Sequence, residues 1–205
     1  MKPSADGKRV PAMSVSFEQA LAALRSWCEA VGIEVTEQLL PPEKAGEFRG
    51  TSVIMNSRFG AEERVYYLAH AIGSIVRRSL EPDAIQAMFD ELRDAKQEKD
   101  SDPDRFERAI AQYRAFEIES SEFAVWLLAD RSCRDAIGSY TNFMRADLEA
   151  MTEFHRSGRA PQWQAFFRQW NEDVAAGRRK VEPFQPQPIP PFEPVKTEKQ
   201  EILQR

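Results

Sequence analysis

Residues 64 to 75, Arg-Val-Tyr-Tyr-Leu-Ala-His-Ala-Ile-Gly-Ser-Ile, constrain the fold more than any other stretch of the chain. Val65, Leu68, Ile72 and Ile75 recur at helical spacing, which gathers them on one face of a helix. Such a stripe has to be covered by other elements, so the chain is expected to build its core around this helix. His70 sits beside the stripe, with Ala71 next to it and Ser74 one turn further on.

The flanking sequence supplies the partners. Ser16-Phe17-Glu18-Gln19 reads as a capping box, and Phe17, Ala20, Leu21, Leu24, Cys28 and Val31 follow as a helix face that stops at Gly32. Ile33-Glu34-Val35 alternates like a short strand, and Thr51 to Asn56 is the best strand candidate. Residues 41 to 50 are expected to be a loop, as is the polar run from Asp94 to Asp104. Ile85, Met88, Phe89 and Leu92 mark one helix after Pro82, and residues 106 to 128 mark another, with a possible break near Phe116. Cys133, Ile137, Tyr140, Phe143, Met144, Leu148 and Met151 mark a long helix, and Trp163, Phe166, Phe167, Trp170 and Val174 a last one. The predicted fold class is α+β, mainly helical, with a small sheet near the front.

Four segments are expected: a disordered N-terminus over residues 1–13, a main domain over 14–130, C-terminal helices over 131–178 that pack on it, and a proline-rich disordered tail over 179–205. From Val181 onward, Gln-Pro-Gln-Pro-Ile-Pro-Pro-Phe-Glu-Pro favours an extended polyproline conformation without core contacts. With 205 residues, 42% hydrophobic and 30% charged, the chain can bury a core as a soluble globular protein.

A net charge of −5 and a pI near 5.3 leave no dominant footprint for phosphate, so no direct nucleic-acid partner is expected. No apolar run approaches the ~20 residues of a membrane span. The first residues carry charges with no apolar stretch behind them, so no signal peptide is read and the expected compartment is the cytoplasm. Cys28 and Cys133 lie in helical patterns without CxxC spacing and read as buried free thiols.

A zinc peptidase helix reads His-Glu-x-x-His, where the two His bind one metal and the Glu acts as general base. Here the first His is His70, the Glu position is Ala71, and the second His position is Ser74. Three blocks in order carry a wider likeness: Gly50 to Asn56, Glu63 to Ser74, and Glu-Ile-Glu-Ser-Ser-Glu-Phe-Ala-Val-Trp-Leu-Leu at 117 to 128. Over roughly residues 17 to 130 the chain resembles the ImmA/IrrE family of zinc metallopeptidases, which have a zincin-like, metallopeptidase-type domain.

The resemblance implies that His70 matches the first zinc ligand and Glu117 the third, with Glu119 as a substitute two residues away. The catalytic positions Ala71 and Ser74 are degenerate, since a methyl group takes no proton from water and a neutral hydroxyl is a poor zinc donor. Losing the base alone typically costs a factor of about 10²–10⁴ in rate. The expectation is therefore a catalytically inactive protein with no zinc, acting as a protein-binding or regulatory module. In the family the peptidase acts on repressor-type DNA-binding proteins, so the implied partner is a protein of that sort, held without being cut.

The alternative is a divergent zinc-dependent hydrolase that rebuilds a site from His70, Glu117 or Glu119, and His155. Glu117, Glu119 and Glu122 also read as a solvated helix face. The aromatic residues Trp163, Phe167 and Trp170 read as packing onto the domain or, if exposed, as a partner-binding surface.

Overall fold

The computed structural model describes residues 16 to 195, apart from residues 43, 132 and 160. The expectations for residues 1–13 and for the end of the tail fall outside the described residues.

Ser16 opens the fold with the capping box that its sequence promises. The Gln19 backbone N–H donates to Ser16 Oγ at 3.3 Å, and the Ser16 N–H donates to Gln19 Oε1 at 2.9 Å. Helix α1 (Phe17–Val31) buries Ala20, Leu21, Leu24 and Cys28 and ends at Gly32, whose φ of 80° reverses the chain. Strands β1 (Glu34–Gln38), β2 (Gly46–Arg49) and β3 (Ser52–Asn56) then form a sheet in the order β1-β3-β2. β3 is central, parallel to β1 with Val53 opposite Val35, and antiparallel to β2 with Val53 opposite Phe48. Val53 and Met55 are its buried side chains.

β2 corrects the expected loop over 41 to 50. Its Gly-Glu-Phe-Arg sequence is short, charged and glycine-led, so little alternation marks it as a strand. Glycine is needed at 46 because a Cβ there would lie 2.3 Å from the Tyr67 ring and 2.4 Å from the Ile54 carbonyl oxygen. Buried Asn56 ties down the preceding turn by donating from Nδ2 to the carbonyls of Pro41 at 3.0 Å and Lys44 at 2.7 Å.

Helix α2 (Ala61–Leu80) runs through the centre, and eleven consecutive-face and neighbouring residues from Val65 to Val76 are buried along it. Glu62 and Glu63 in its first turn and Arg77 and Arg78 in its last complement the helix dipole. Helix α3 (Pro82–Gln97) and helix α4 (Pro103–Asp130) follow. They shorten the expected 94 to 104 loop to five residues, 98 to 102. The polar end of α3 still buries Ala95, and Arg105 grips Glu91 through two 2.7 Å contacts, holding the start of α4 against α3. Asp102 caps α4 by accepting from the Arg105 N–H at 2.9 Å.

α4 is continuous through Phe116, because it passes among several neighbours and buries residues around much of its circumference. A short 3₁₀ turn (Arg134–Ala136), helix α5 (Ile137–Ser157) and helix α6 (Trp163–Ala175) complete the helices of the described chain.

The main core joins α1, β3, α2, α4 and α5, with Leu24, Met55, Leu68, Ile72, Leu127 and Tyr140 fully buried within it. A smaller core holds Leu92, Phe106, Ile110, Tyr113 and Met151. The fold is thus α+β and mainly helical, with one three-stranded sheet. No helix among the described residues is long and apolar enough to cross a membrane.

Residues 181 to 195 form neither helix nor strand, yet they do make core contacts, contrary to the expectation for the tail. Phe184 is buried in the main core, Phe192 stacks on Trp27 with ring centroids 6.2 Å apart, and Ile189 packs beside them. The Gln187 N–H donates to the Glu122 carbonyl at 3.2 Å and the Val195 N–H to Ser79 Oγ at 3.3 Å. Apolar residues spaced between the prolines give this strap its grip.

Candidate functional site

The site begins with a glycine. A Cβ on Gly73 would lie 2.0 Å from the Ser120 carbonyl oxygen, so only glycine lets α2 and α4 approach this closely. The approach buries polar side chains from both helices: His70 and Ser74 from α2, and Glu117, Ser120 and Ser121 from α4.

His70 and Glu117, only 2% and 4% exposed, face each other with Nε2 and Oε2 3.3 Å apart. Ser74 Oγ lies 3.4 Å from the same Nε2, and Ser121 Oγ donates to the Glu117 carbonyl at 2.8 Å. Buried polar groups at this distance satisfy one another, because leaving either alone in the interior costs its desolvation. Ser120 Oγ is buried with no hydrogen-bond partner among the described residues.

Glu119 takes no part in this cluster. Two residues along a helix are about 200° apart around its axis, so Glu119 leaves the face that carries Glu117. It pairs instead with Arg77, which also holds Glu81 at 2.9 Å. His155 packs edge-on against Tyr113 with ring centroids 4.8 Å apart, and also touches Phe154. Among the described residues no group of three His, Cys, Asp or Glu side chains is placed to hold a metal ion.

A cleft of about 860 Å³ opens over His70. Tyr67 and His70 from α2, Phe143, Met144 and Asp147 from α5, Trp163 and Phe167 from α6, and Phe59, Pro42 and Ala45 from the loops line it. His70 reaches this cleft, while Ala71, Ser74 and Glu117 are not among its lining residues. One wall is a ladder of rings: Phe143 stacks on Phe167 at 5.0 Å with planes 7° apart, and Phe167 stacks on Trp163 at 5.9 Å. Behind it Tyr66 touches Phe143 at 5.3 Å, and burial, then its hydrogen bond to Glu62, raises its phenol above the usual range.

Models of protein families, curated proteins and solved structures were all compared with the chain. None matches.

The aromatic residues expected to bind divide in two. Trp163 and Phe167 face the cleft. Trp170 is buried, and its Nε1–H donates to Asn142 Oδ1 at 2.9 Å, so it anchors α6 to α5. The sequence singles out neither Asp147 nor Phe59, and marks Phe143 and Tyr67 only as residues of helices, not of a cleft. Phe143, Met144 and Asp147 share a helix face at i, i+1 and i+4 spacing, but only the placement of α6 turns that face into a wall.

The three-ligand zinc set implied by the family resemblance is incomplete among the described residues. A catalytic zinc takes three protein ligands and keeps a fourth position open to water. Here His70 Nε2 and Glu117 Oε2, 3.3 Å apart, are two candidate donors, Ser74 supplies only a hydroxyl, and no third His, Cys, Asp or Glu joins them among the described residues.

Proposed function

We propose that this chain is a catalytically inactive relative of the ImmA/IrrE peptidases that binds a protein segment in its cleft without cleaving it. The observation that carries this reading is the contrast between the cleft and its floor. The cleft is large and aromatic-walled, while the residues beneath it form a closed His70–Glu117 pair with Ala71 at the general-base position. Pockets of roughly 300–1,000 Å³ with mostly apolar linings and a few polar groups are typical binding sites. A methyl group cannot activate water, so binding is what the site retains.

The three sequence blocks support the family reading, and the structure adds a physical reason for one of them. The Leu-Ala-His-x-x-Gly core needs its glycine where α2 meets α4. By the same resemblance, the partner is a repressor-type DNA-binding protein, and the outcome of binding is regulatory.

Incubation of the purified chain with a fluorescence-quenched peptide library, with and without added zinc, tests the proposal. No turnover is expected. Cleavage that His70→Ala abolishes, together with stoichiometric zinc lost in the same variant, overturns the proposal in favour of a rebuilt hydrolase.

A further inference from the structure

We infer that the cleft is occupied by a segment of the same chain, the uncharged run Val10 to Val15 that precedes α1, and that this segment has to leave before a partner segment enters. The inference rests on the cleft being a site for protein segments and names its resident occupant.

Residues 1–15 lie outside the described residues, but the place where they join the fold is fixed. Ser16 caps α1, and the Phe17 ring packs edge-on against Tyr66 with centroids 6.0 Å apart. Tyr66 in turn touches Phe143, a wall of the cleft, at 5.3 Å. The Tyr66 hydroxyl donates to Glu62, and the next residue, Glu63, lines the cleft. The chain therefore enters the fold at the rim, one ring behind the wall.

An extended residue spans about 3.3 Å, so about four residues cover the two ring contacts from Phe17 to Phe143. Met13 is the fourth residue before Phe17, which brings it to Phe143 and carries Pro11 and Val10 within reach of Tyr67 and Trp163.

The composition of the run suits the lining. Val10-Pro11-Ala12-Met13-Ser14-Val15 carries no charge, so it asks nothing of Asp147 or Arg168, whereas Asp6, Lys8 and Arg9 stand just before it. Aromatic-lined grooves accept proline in extended segments, and Pro11 biases Val10 towards extended backbone, which lowers the cost of ordering. A methionine thioether adapts to irregular space and contacts ring edges favourably, so the stacked faces of Phe143 and Phe167 need not open. Tethering supplies the rest, because a short linker holds the segment at about millimolar effective concentration and fills even a weak site.

The test uses a dye-labelled peptide of residues 5–15, Ala-Asp-Gly-Lys-Arg-Val-Pro-Ala-Met-Ser-Val, and two full chains. One chain is unaltered; the other carries Val10→Ser, Pro11→Gly and Met13→Ser, all ahead of the capping box. Circular dichroism checks their folding and fluorescence anisotropy gives the affinities. The altered chain is expected to bind the peptide about tenfold more tightly, since a tethered occupant that leaves about one cleft in ten open weakens apparent binding by that factor. The ratio is expected to be the same in dilute and concentrated solutions of the chain. Trp163→Ala, added to the altered chain, is expected to weaken peptide binding at least about tenfold, in the range set by losing an aromatic contact. Phe59→Ser takes its place if that variant fails to fold.

Equal affinities for the two chains overturn the tethered occupant. Absence of binding to the altered chain at millimolar peptide shows that the segment does not fit and overturns it as well, as does binding that ignores the cleft variant. A ratio that falls towards one on dilution assigns the segment to a second copy of the chain. Mass spectrometry of the recovered peptide keeps the underlying reading separate. An intact peptide in any of these failures leaves the inactive binding cleft standing, whereas a cut peptide reveals a working hydrolase and overturns the cleft reading and its resident occupant together.

Discussion

Gly73 has no side chain because the Ser120 carbonyl occupies the space one would need. Gly73→Ala must push two long helices apart, and overpacking of this kind typically costs about 1–3 kcal/mol, with the higher end expected against a rigid backbone atom. Urea denaturation of the variant checks this.

The His70–Glu117 pair predicts an asymmetric cycle. Removing one member of a buried charged or hydrogen-bonded pair strands the other, at about 3–5 kcal/mol when a carboxylate is left behind. His70→Leu is therefore expected to destabilise more than Glu117→Leu, and the double variant less than His70→Leu alone. Additive losses in the four-way comparison would show that the two side chains are not coupled.

Cys28 supplies a pH prediction. Burial pushes its thiol up from 9.0 to about 12. The unfolded chain then releases this proton near pH 9 while the folded chain holds it, so stability contributed by the neutral thiol is complete below pH 9 and lost as pH rises towards 12. A thiol reagent at pH 8 is expected to leave Cys28 unmodified until denaturant is added. Cys28→Ala should lose less stability than the native chain between pH 8 and the alkaline range.

At the level of elements, the helices were readable because their apolar residues recur with the right period and their ends carry chemical signals. Ser16 and Gln19 cap α1 as the sequence indicates, and Gly32 stops it. β2 was not readable, since its four residues gain their strand geometry from pairing with β3 and from the space that Gly46 leaves for Tyr67. The His70–Glu117 meeting was expected only through the family likeness, because residues 47 positions apart on different helices share no local pattern. Asp147 gave no signal at all, being one acid on a mixed helix.

The strap was misread because prolines dominate its composition, whereas its grip comes from Phe184, Ile189 and Phe192. Phe184→Ala should cost about 3 kcal/mol or more, as for other buried phenylalanines, and also removes the ring beneath Arg145 at 4.0 Å. Thermal unfolding measures it. A loss below about 0.5 kcal/mol, the usual size of a surface effect, would show that the strap is not held as described.

For the whole molecule, the decisive expectation is that purified protein, incubated with zinc and then dialysed, carries well below one zinc per chain. Mass spectrometry reads this directly, and chelator treatment should leave the melting temperature unchanged.

The strap also bears on how long the folded state lasts. Its hydrogen bonds join Val195 to Ser79 and Gln187 to Glu122, residues far apart along the chain, and its rings settle on surfaces that exist only after the helices have assembled. Contacts of that kind form late and are absent from the folding transition state, so they slow unfolding without hastening folding. Stopped-flow measurements on Phe184→Ala should therefore find the unfolding limb accelerated and the refolding limb almost unmoved. The strap then acts as a latch on the lifetime of the native state, and proteases that wait for rare opening would meet the unlatched chain far more often.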